Sequence, residues 1–462
     1  MVRKGARQTV GAERANGVHG RGRLGAEQPV AQMGAAQPEG TGTVLSSRSG
    51  FRIGIVMNAP ATLREVETRA ITRPEELSGY EMIRRLVGFP TVSRDSNLEL
   101  IEWVRGYVEQ HGATTTLTFD DERRKANLFV TFPARDGNAT TGGIVLSGHT
   151  DVVPVDGQPW DTDPFTVTHR DGRLYGRGVT DMKSFSAIGL AFVPRFLARG
   201  LLRPLHFALS YDEEIGCIGV RRLIADLVAS GVKPQGCIVG EPTGMELIVA
   251  HKGKMSWRCR IRGREAHSSL TPRGVNAVQI ACEIVAYIAR RAREFRDAGT
   301  HDRAYDVPYT TAHVGIIRGG TALNIVPRDC TFEFEIRHLP FDDPQAFFRD
   351  VQSYAARFVP EMHAVDPSTF IEFDHLSTLP GFDTSDGTAI TALGKACNAT
   401  HACGKVSFGS EASLFHNAAV PAVLCGPGYI EQAHQPNEWV GLDQLARCEA
   451  FMERLADHLC AA

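Results

Sequence analysis

The sequence predicts an α/β protein with a discontinuous catalytic domain, its sheet mixed or parallel and covered by helices on both faces. An α+β two-layer domain of four strands and two helices is expected as an insertion. Three observations predict this. Short apolar runs alternate with helical patterns from residue 74 to 252, the pattern of a largely parallel sheet flanked by helices. From 253 to 373 the rhythm changes to four strand-like runs with two helices. The α/β rhythm then resumes over 374–462, and candidate metal ligands lie on both sides of the interruption.

Residues 1–73 are expected to be a disordered or poorly ordered extension. Rich in glycine and arginine and poor in aliphatic periodicity, this segment cannot bury enough apolar surface to offset its ordering entropy. An over-long start is the other reading, with Met57 or Met82 as later starts. Order is expected from Pro74, with a helix over 80–87 and a second from Leu98 to about His111 capped by Asn97. Strands are expected at 128–132, 144–147, 205–210 and 237–239, and helices at 184–199 and 217–230. In the insertion, strands are expected at 255–262, 311–317, 331–336 and 370–373, with helices at 275–290 and 344–358. A helix at 388–397 and a strand at 422–425 follow.

At 462 residues the chain is too long for one comfortable core. A net charge of -3 offers no electrostatic footprint for nucleic acid or an anionic membrane. No apolar run approaches the roughly 20 residues of a spanning helix. The expected partner is therefore a small molecule, and the expected location the cytoplasm. All ten cysteines lie from Cys217 onward without a CxxC pair, which argues for reduced, mostly buried thiols and against a thiolate zinc site.

The candidate chemistry sits at strand ends, where open α/β sheets bind ligands. His149 and Asp151 follow the strand 144–147, with Asp151 placed to accept from the imidazole and fix its tautomer. Asp181 lies in a turn after Gly176-Arg177-Gly178, where its two oxygens can bridge two cations or simply cap the next helix. Glu213 and Glu214 are adjacent acids that divide labour as base and ligand, or form a solvated acidic turn. Glu241 stands between Gly240 and Pro242, and His434 in a polar loop. Each alone has a bland reading; two histidines and several carboxylates at the ends of strands make a two-metal hydrolytic centre the best joint one. Without thiolates the set suits Zn, Co or Mn.

With Ser93-Arg94-Asp95-Ser96-Asn97-Leu98, Ala266-His267-Ser268-Ser269, Gly320-Thr321-Ala322-Leu323-Asn324-Ile325-Val326-Pro327 and His434-Gln435-Pro436-Asn437-Glu438, the chain resembles a known family. This is the zinc-dependent aminoacylase, desuccinylase and carboxypeptidase family of co-catalytic metallohydrolases, and within it the deacetylase branch. The resemblance runs from about Pro74 to the C-terminus.

It implies hydrolysis of an N-acyl amino acid, N-acetylornithine first, with two divalent ions, Zn foremost. By resemblance Asp181 bridges the ions, His149 and Glu241 hold one, and Glu214 and His434 the other. Glu213 is the general base, and Asp151 orients His149. His267 polarises the scissile carbonyl from the partner subunit of a homodimer, while Asn324 and Arg337 hold the substrate carboxylate. Glu411 is expected either to meet ornithine's distal ammonium or to be a plain acid at a helix N-terminus.

Two departures stand out: Ser184 where the family has Gly, and Val179-Thr180 where Cys or Ala is typical. Neither removes a ligand. Succinyl-diaminopimelate, other N-acyl amino acids or small peptides are the alternative substrates. A non-catalytic amino-acid-binding relative is a further alternative, though one expected to have lost a ligand or Glu213.

Overall fold

The computed structural model describes residues 73–384, 386–398 and 402–460. The expected extension lies outside them except for Arg73, as does Met57, whereas Met82 sits in the helix Tyr80–Val87.

Nine strands of the described residues form one mixed sheet. In spatial order they run Thr114–Phe119, Ala126–Phe132, Leu205–Ser210, Ile144–His149, Gly236–Pro242, Ala422–Gly426, Ile248–His251 and Phe382–Asp383, with Gly404–Val406 also on Ile248–His251. The four central strands, from Leu205–Ser210 to Ala422–Gly426, are parallel to one another. Every residue of those four is buried, so they read in sequence as mostly apolar runs.

Successive side chains supply opposite faces. Leu146, Phe207 and Ile238 pack with the helices Lys183–Ala191 and Leu442–Leu459. Val145, Ala208 and Val239 pack with Ile218–Ala229 and Ala412–Asn417. Helices thus cover both faces, and the central strands point their carboxyl ends to one edge.

The second sheet is antiparallel, in the order Thr311–Gly319, Asp329–His338, Gly253–Arg262, Phe370–Leu379. Gly253–Arg262 buries every second residue. Trp257 of that strand stacks on Phe348 at 4.5 Å, and Ile284 and Val351 of the helices Ala277–Ala298 and Pro344–Ala356 join the same core. Both helices have side-chain caps, with Asn276 accepting from the Gln279 N–H and Asp343 from that of Gln345. The alternate residues of the sheet carry ion pairs such as Arg258–Glu333 and Arg260–Asp374.

Several expectations are corrected in detail. The helix expected over 184–199 is two, Lys183–Ala191 and Val193–Arg199, because Pro194 cannot donate into a continuing helix. The helix expected over 344–358 ends at Ala356, and Val359–Val365 follows, again with a proline in its first turn. Asn97 precedes Leu98–Gln110 but does not cap it. Its side chain bonds the Ala126 N–H and carbonyl and the Thr150 hydroxyl, while Ser96 accepts from the Leu98 N–H at 3.2 Å. The strand Thr114–Phe119, the three-stranded sheet of Thr168–Arg170, Arg173–Tyr175 and Trp439–Gly441, and the helix Leu442–Leu459 were not expected. Among the described residues no helix is long and apolar enough to cross a membrane.

Candidate metal centre

The parallel strands deliver their ends to one cavity of about 400 Å³ lined by Asp181, Glu213, Glu214, Glu241 and His434. His149 ends its strand fully buried, with Nε2 3.0 Å from Asp181 Oδ1. The other Asp181 oxygen lies 3.1 Å from His434 Nε2, which is also 3.0 Å from Glu214 Oε2. One carboxylate therefore stands between two imidazoles. Ligand atoms of His149, Asp181 and Glu214 lie within 4.8 Å of one another, close enough to share an ion. Glu241 closes the buried side, at the end of Gly236–Pro242. Gly240 before it is required: a Cβ there would sit 2.1 Å from the Phe185 ring.

The electrostatics show a site short of positive charge. Burial opposes a charge on His149, but the hydrogen bond and charge of Asp181, with the charges of Glu213 and Asp151, together outweigh that and hold the ring well above the usual imidazole range. Burial likewise opposes ionisation of Asp181, yet His149 and His434 hold it below the usual carboxylate range. Asp181 and Glu214 push His434 up to about 10. Burial pushes Glu213 up to about 8 and raises Glu214 and, further, Glu241, with Asp181 adding repulsion. Four converging carboxyls with two imidazoles as counter-charges form a donor set that divalent cations fit.

Around this centre some expected residues fall differently. The His149 Nδ1 meets the backbone carbonyl of Asp151 at 2.9 Å, while the Asp151 carboxylate stays 3.7 Å away. That carbonyl, rather than the expected carboxylate, fixes the tautomer. The carboxylate instead accepts from the backbone N–H groups of Glu213 and Glu214 at 3.1 and 3.3 Å and from Ser93 Oγ at 2.7 Å.

Glu411 is corrected outright as a substrate contact. It has no exposure, does not line the cavity, and its two oxygens accept from Ser147 Oγ at 2.5 Å and Ser210 Oγ at 2.7 Å. It does stand at the N-cap of Ala412–Asn417, as the plain reading of an acid at a helix N-terminus expected, without a side-chain cap bond. Arg337 does line the cavity, half-buried, with Lys254 beside it, and Glu335 pairs with both. His267 and Asn324 do not line it. Both are exposed, and the Ser268 N–H donates to the Asn324 carbonyl at 3.0 Å, so the two share one loop cluster on the smaller sheet.

Sequence reasoning missed Cys217, whose thiol donates to Glu213 Oε1 at 3.0 Å, and Lys254. It also gave no task to Arg177 and Glu438, although both lie inside motifs it singled out.

A profile of peptidase family M20/M25/M40 matches residues 145–458. The chain is 30% identical over 396 residues to the acetylornithine deacetylase of Pasteurella multocida (strain Pm70), covering 83% of this chain and 98% of that one. Among solved structures, the aminopeptidase PepT from Bacillus cereus ATCC 10987 superposes with a TM-score of 0.66 at 20% identity, over 84% of this chain and 98% of its own. The Bacillus subtilis YXEP protein, a dinuclear metal binding peptidase, matches with a TM-score of 0.59 at 16% identity, over 82% of this chain and 96% of its own.

Proposed function

Since this chain belongs to peptidase family M20/M25/M40, we propose that it is a metal-dependent amidohydrolase acting on N2-acetyl-L-ornithine. The products are L-ornithine and acetate, a step of arginine biosynthesis. The observation that carries this reading is the convergence of His149, Asp181, Glu214 and His434 on one cavity, with Glu213 beside them. The 30% identity to an acetylornithine deacetylase supports the substrate.

Imidazoles and carboxylates without a thiolate suit two divalent ions, Zn foremost, with Co or Mn as alternatives. Asp181 would be shared between the two ions, with His149 and Glu241 holding one and Glu214 and His434 the other. When bound, the ions would supply Lewis-acid chemistry to the scissile carbonyl and to the attacking water. Glu213 takes that water's proton and returns it to the leaving amine. Glu213 lines the cavity beside the ligands, where a carboxylate can serve as such a base. Asp151 fixes the Glu213–Glu214 turn through its backbone N–H groups. Arg337 holds the substrate carboxylate.

Residues 74–252 and 374–462 are read as the catalytic domain and 253–373 as the lid and dimerisation domain. His267 and Asn324, away from this chain's own cavity, reach the site of the partner in a homodimer, His267 to stabilise the oxyanion. A biosynthetic role supports a cytoplasmic location.

The test is steady-state hydrolysis of N-acetylornithine, succinyl-diaminopimelate and acetylmethionine, with added Zn or Co and after chelation. Metal-dependent turnover led by acetylornithine is expected. Turnover led by another substrate keeps the chemistry and discards the substrate.

One observation favours a second reading, an N-acyl amino acid with an additional acidic group. With Glu411 buried, the described residues lining the cavity include no acid beyond Asp181, Glu213, Glu214 and Glu241, yet they include two cations, Lys254 and Arg337, that share the one Glu335. Succinyl-diaminopimelate leading the panel, and losing that lead in Lys254→Met, is the outcome this second reading requires.

A further inference from the structure

The reaction as derived leaves Glu438 without a task, although this carboxylate is 1% exposed. Its Oε1 accepts three backbone N–H groups, from Gly178 at 3.0 Å, Thr180 at 2.9 Å and Asp181 at 3.1 Å. Oε2 accepts from Arg177 Nη1 at 2.7 Å, and Arg177 is equally buried. The Arg177 Nη2 donates to Gln158 Oε1 at 2.6 Å, and Gln158 Nε2 in turn donates to the His434 carbonyl at 3.2 Å. The Gly176 N–H donates to the Glu438 carbonyl at 3.0 Å.

These bonds join the turn that carries Asp181 to the loop that carries His434. Both segments need holding. Gly178 has a φ of 88°, and His434 and Asn437 adopt left-handed φ values of 61° and 58°. Non-glycine residues stay in that region only where their surroundings over-determine it. A carboxylate with four donors, one of them a guanidinium, is the strongest such constraint in the loop.

We propose that Glu438 is a positioning residue for the metal centre: by clamping the Asp181 turn and the His434 loop together, it presets the spacing of two ligands and so sets metal affinity. The proposal rests on the metal-centre reading above. A purely structural Glu438 would affect stability and leave metal affinity alone, which separates the two ideas.

The experiment uses Glu438→Gln, which keeps the size but offers one acceptor oxygen in place of two. Either the three N–H groups lose their acceptor or Arg177 meets an amide NH2. Zn2+ and Co2+ binding to the chelated, refilled protein is measured by calorimetry beside Glu449→Gln. Glu449 is a half-buried carboxylate that accepts from Ser78 Oγ and the Gly79 N–H, and its variant gives the stability baseline.

The expected result is a loss of about 10- to 100-fold in affinity for at least one ion in E438Q, with kcat recovering at saturating metal and E449Q binding as wild type. Wild-type metal affinity in E438Q, whatever its Tm, overturns the proposal alone. A wild-type protein that binds no metal overturns the metal-centre reading and this proposal with it. Should E438Q fail to fold, R177M/E438Q removes the stranded buried cation and is read in the same way.

Discussion

His206 gives a test of the fold's electrostatics independent of the metal ligands. Its ring lies fully buried in the strand Leu205–Ser210, stacked on Phe129 at 5.3 Å. Nδ1 is 3.0 Å from Thr131 Oγ1, and Nε2 has no hydrogen-bond partner. A neutral ring leaves one nitrogen bare, whereas protonation would bury a charged N–H without an acceptor. Burial accordingly lowers its pKa from 6.5 to about 4. The unfolded chain then takes up a proton at a higher pH than the folded one. The stability this ring contributes is complete above 6.5 and is lost as pH falls from there towards 4. That shift is worth roughly 3 kcal/mol, a large share of a typical total of about 5–15 kcal/mol. His206→Phe keeps the stacking, removes the titrating group and deprives Thr131 of its partner, at a cost of about 1–3 kcal/mol near neutral pH. Denaturant unfolding of the chelated protein should therefore show wild type ahead at about pH 7.5, with the gap shrinking by roughly 2–3 kcal/mol by about pH 4.5. A gap that stays constant across this range refutes the argument.

The shared-site arrangement predicts complementation. If His267 serves the partner's site, a mixture of inactive H267A and E213Q chains, dissociated and re-associated, regains about a quarter of wild-type activity, since half the dimers are mixed and each has one complete site. No recovery, with mixed dimers shown to form, excludes His267 from the partner's site. Glu213→Gln alone is expected to lower kcat about 10²- to 10⁴-fold with KM and metal content little changed; a matching fall in bound metal would make Glu213 a ligand instead of the base.

How much of this was legible in the sequence depended on what each signal rests on. Buried parallel strands advertise themselves as apolar runs, so Leu205–Ser210 has the expected bounds, and the strand expected at 144–147 simply continues to His149. Thr114–Phe119 gave no such signal: it is an edge strand of threonines, partly exposed along its length. The helix Leu442–Leu459 did carry one, with Leu445, Cys448, Met452, Leu455 and Leu459 at helical spacing and all buried. For the centre, strand-end logic located His149, Glu214 and Glu241, because it needs only the order of strands and loops. It could not locate the partners of Glu411. Ser147 and Ser210 are 264 and 201 residues away in the chain, and no local pattern reports contacts of that range. The choice between the carbonyl and the carboxylate of Asp151 was equally hidden, since it turns on less than an ångström of backbone placement.

The three carboxylates that stand behind the ligands explain why this centre is so rich in acid. Asp151 holds the turn of Glu213 and Glu214 by their N–H groups, Glu411 ties the strands of Ser147 and Ser210, and Glu438 joins the segments of Asp181 and His434. A carboxylate suits each post because its two oxygens accept several donors at once, something no hydroxyl or single carbonyl does as firmly. The consequence is electrostatic. These three lie buried within the same region as four further acids, while Arg177, His149 and Lys183 are among the buried basic side chains of the described residues. Uncompensated buried charge is costly, so the same acids that hold the ligands still also raise the centre's demand for divalent cations. Rigidity and cation affinity are two effects of one choice of residue, and in such an architecture metal loading and native-state stability are thermodynamically linked.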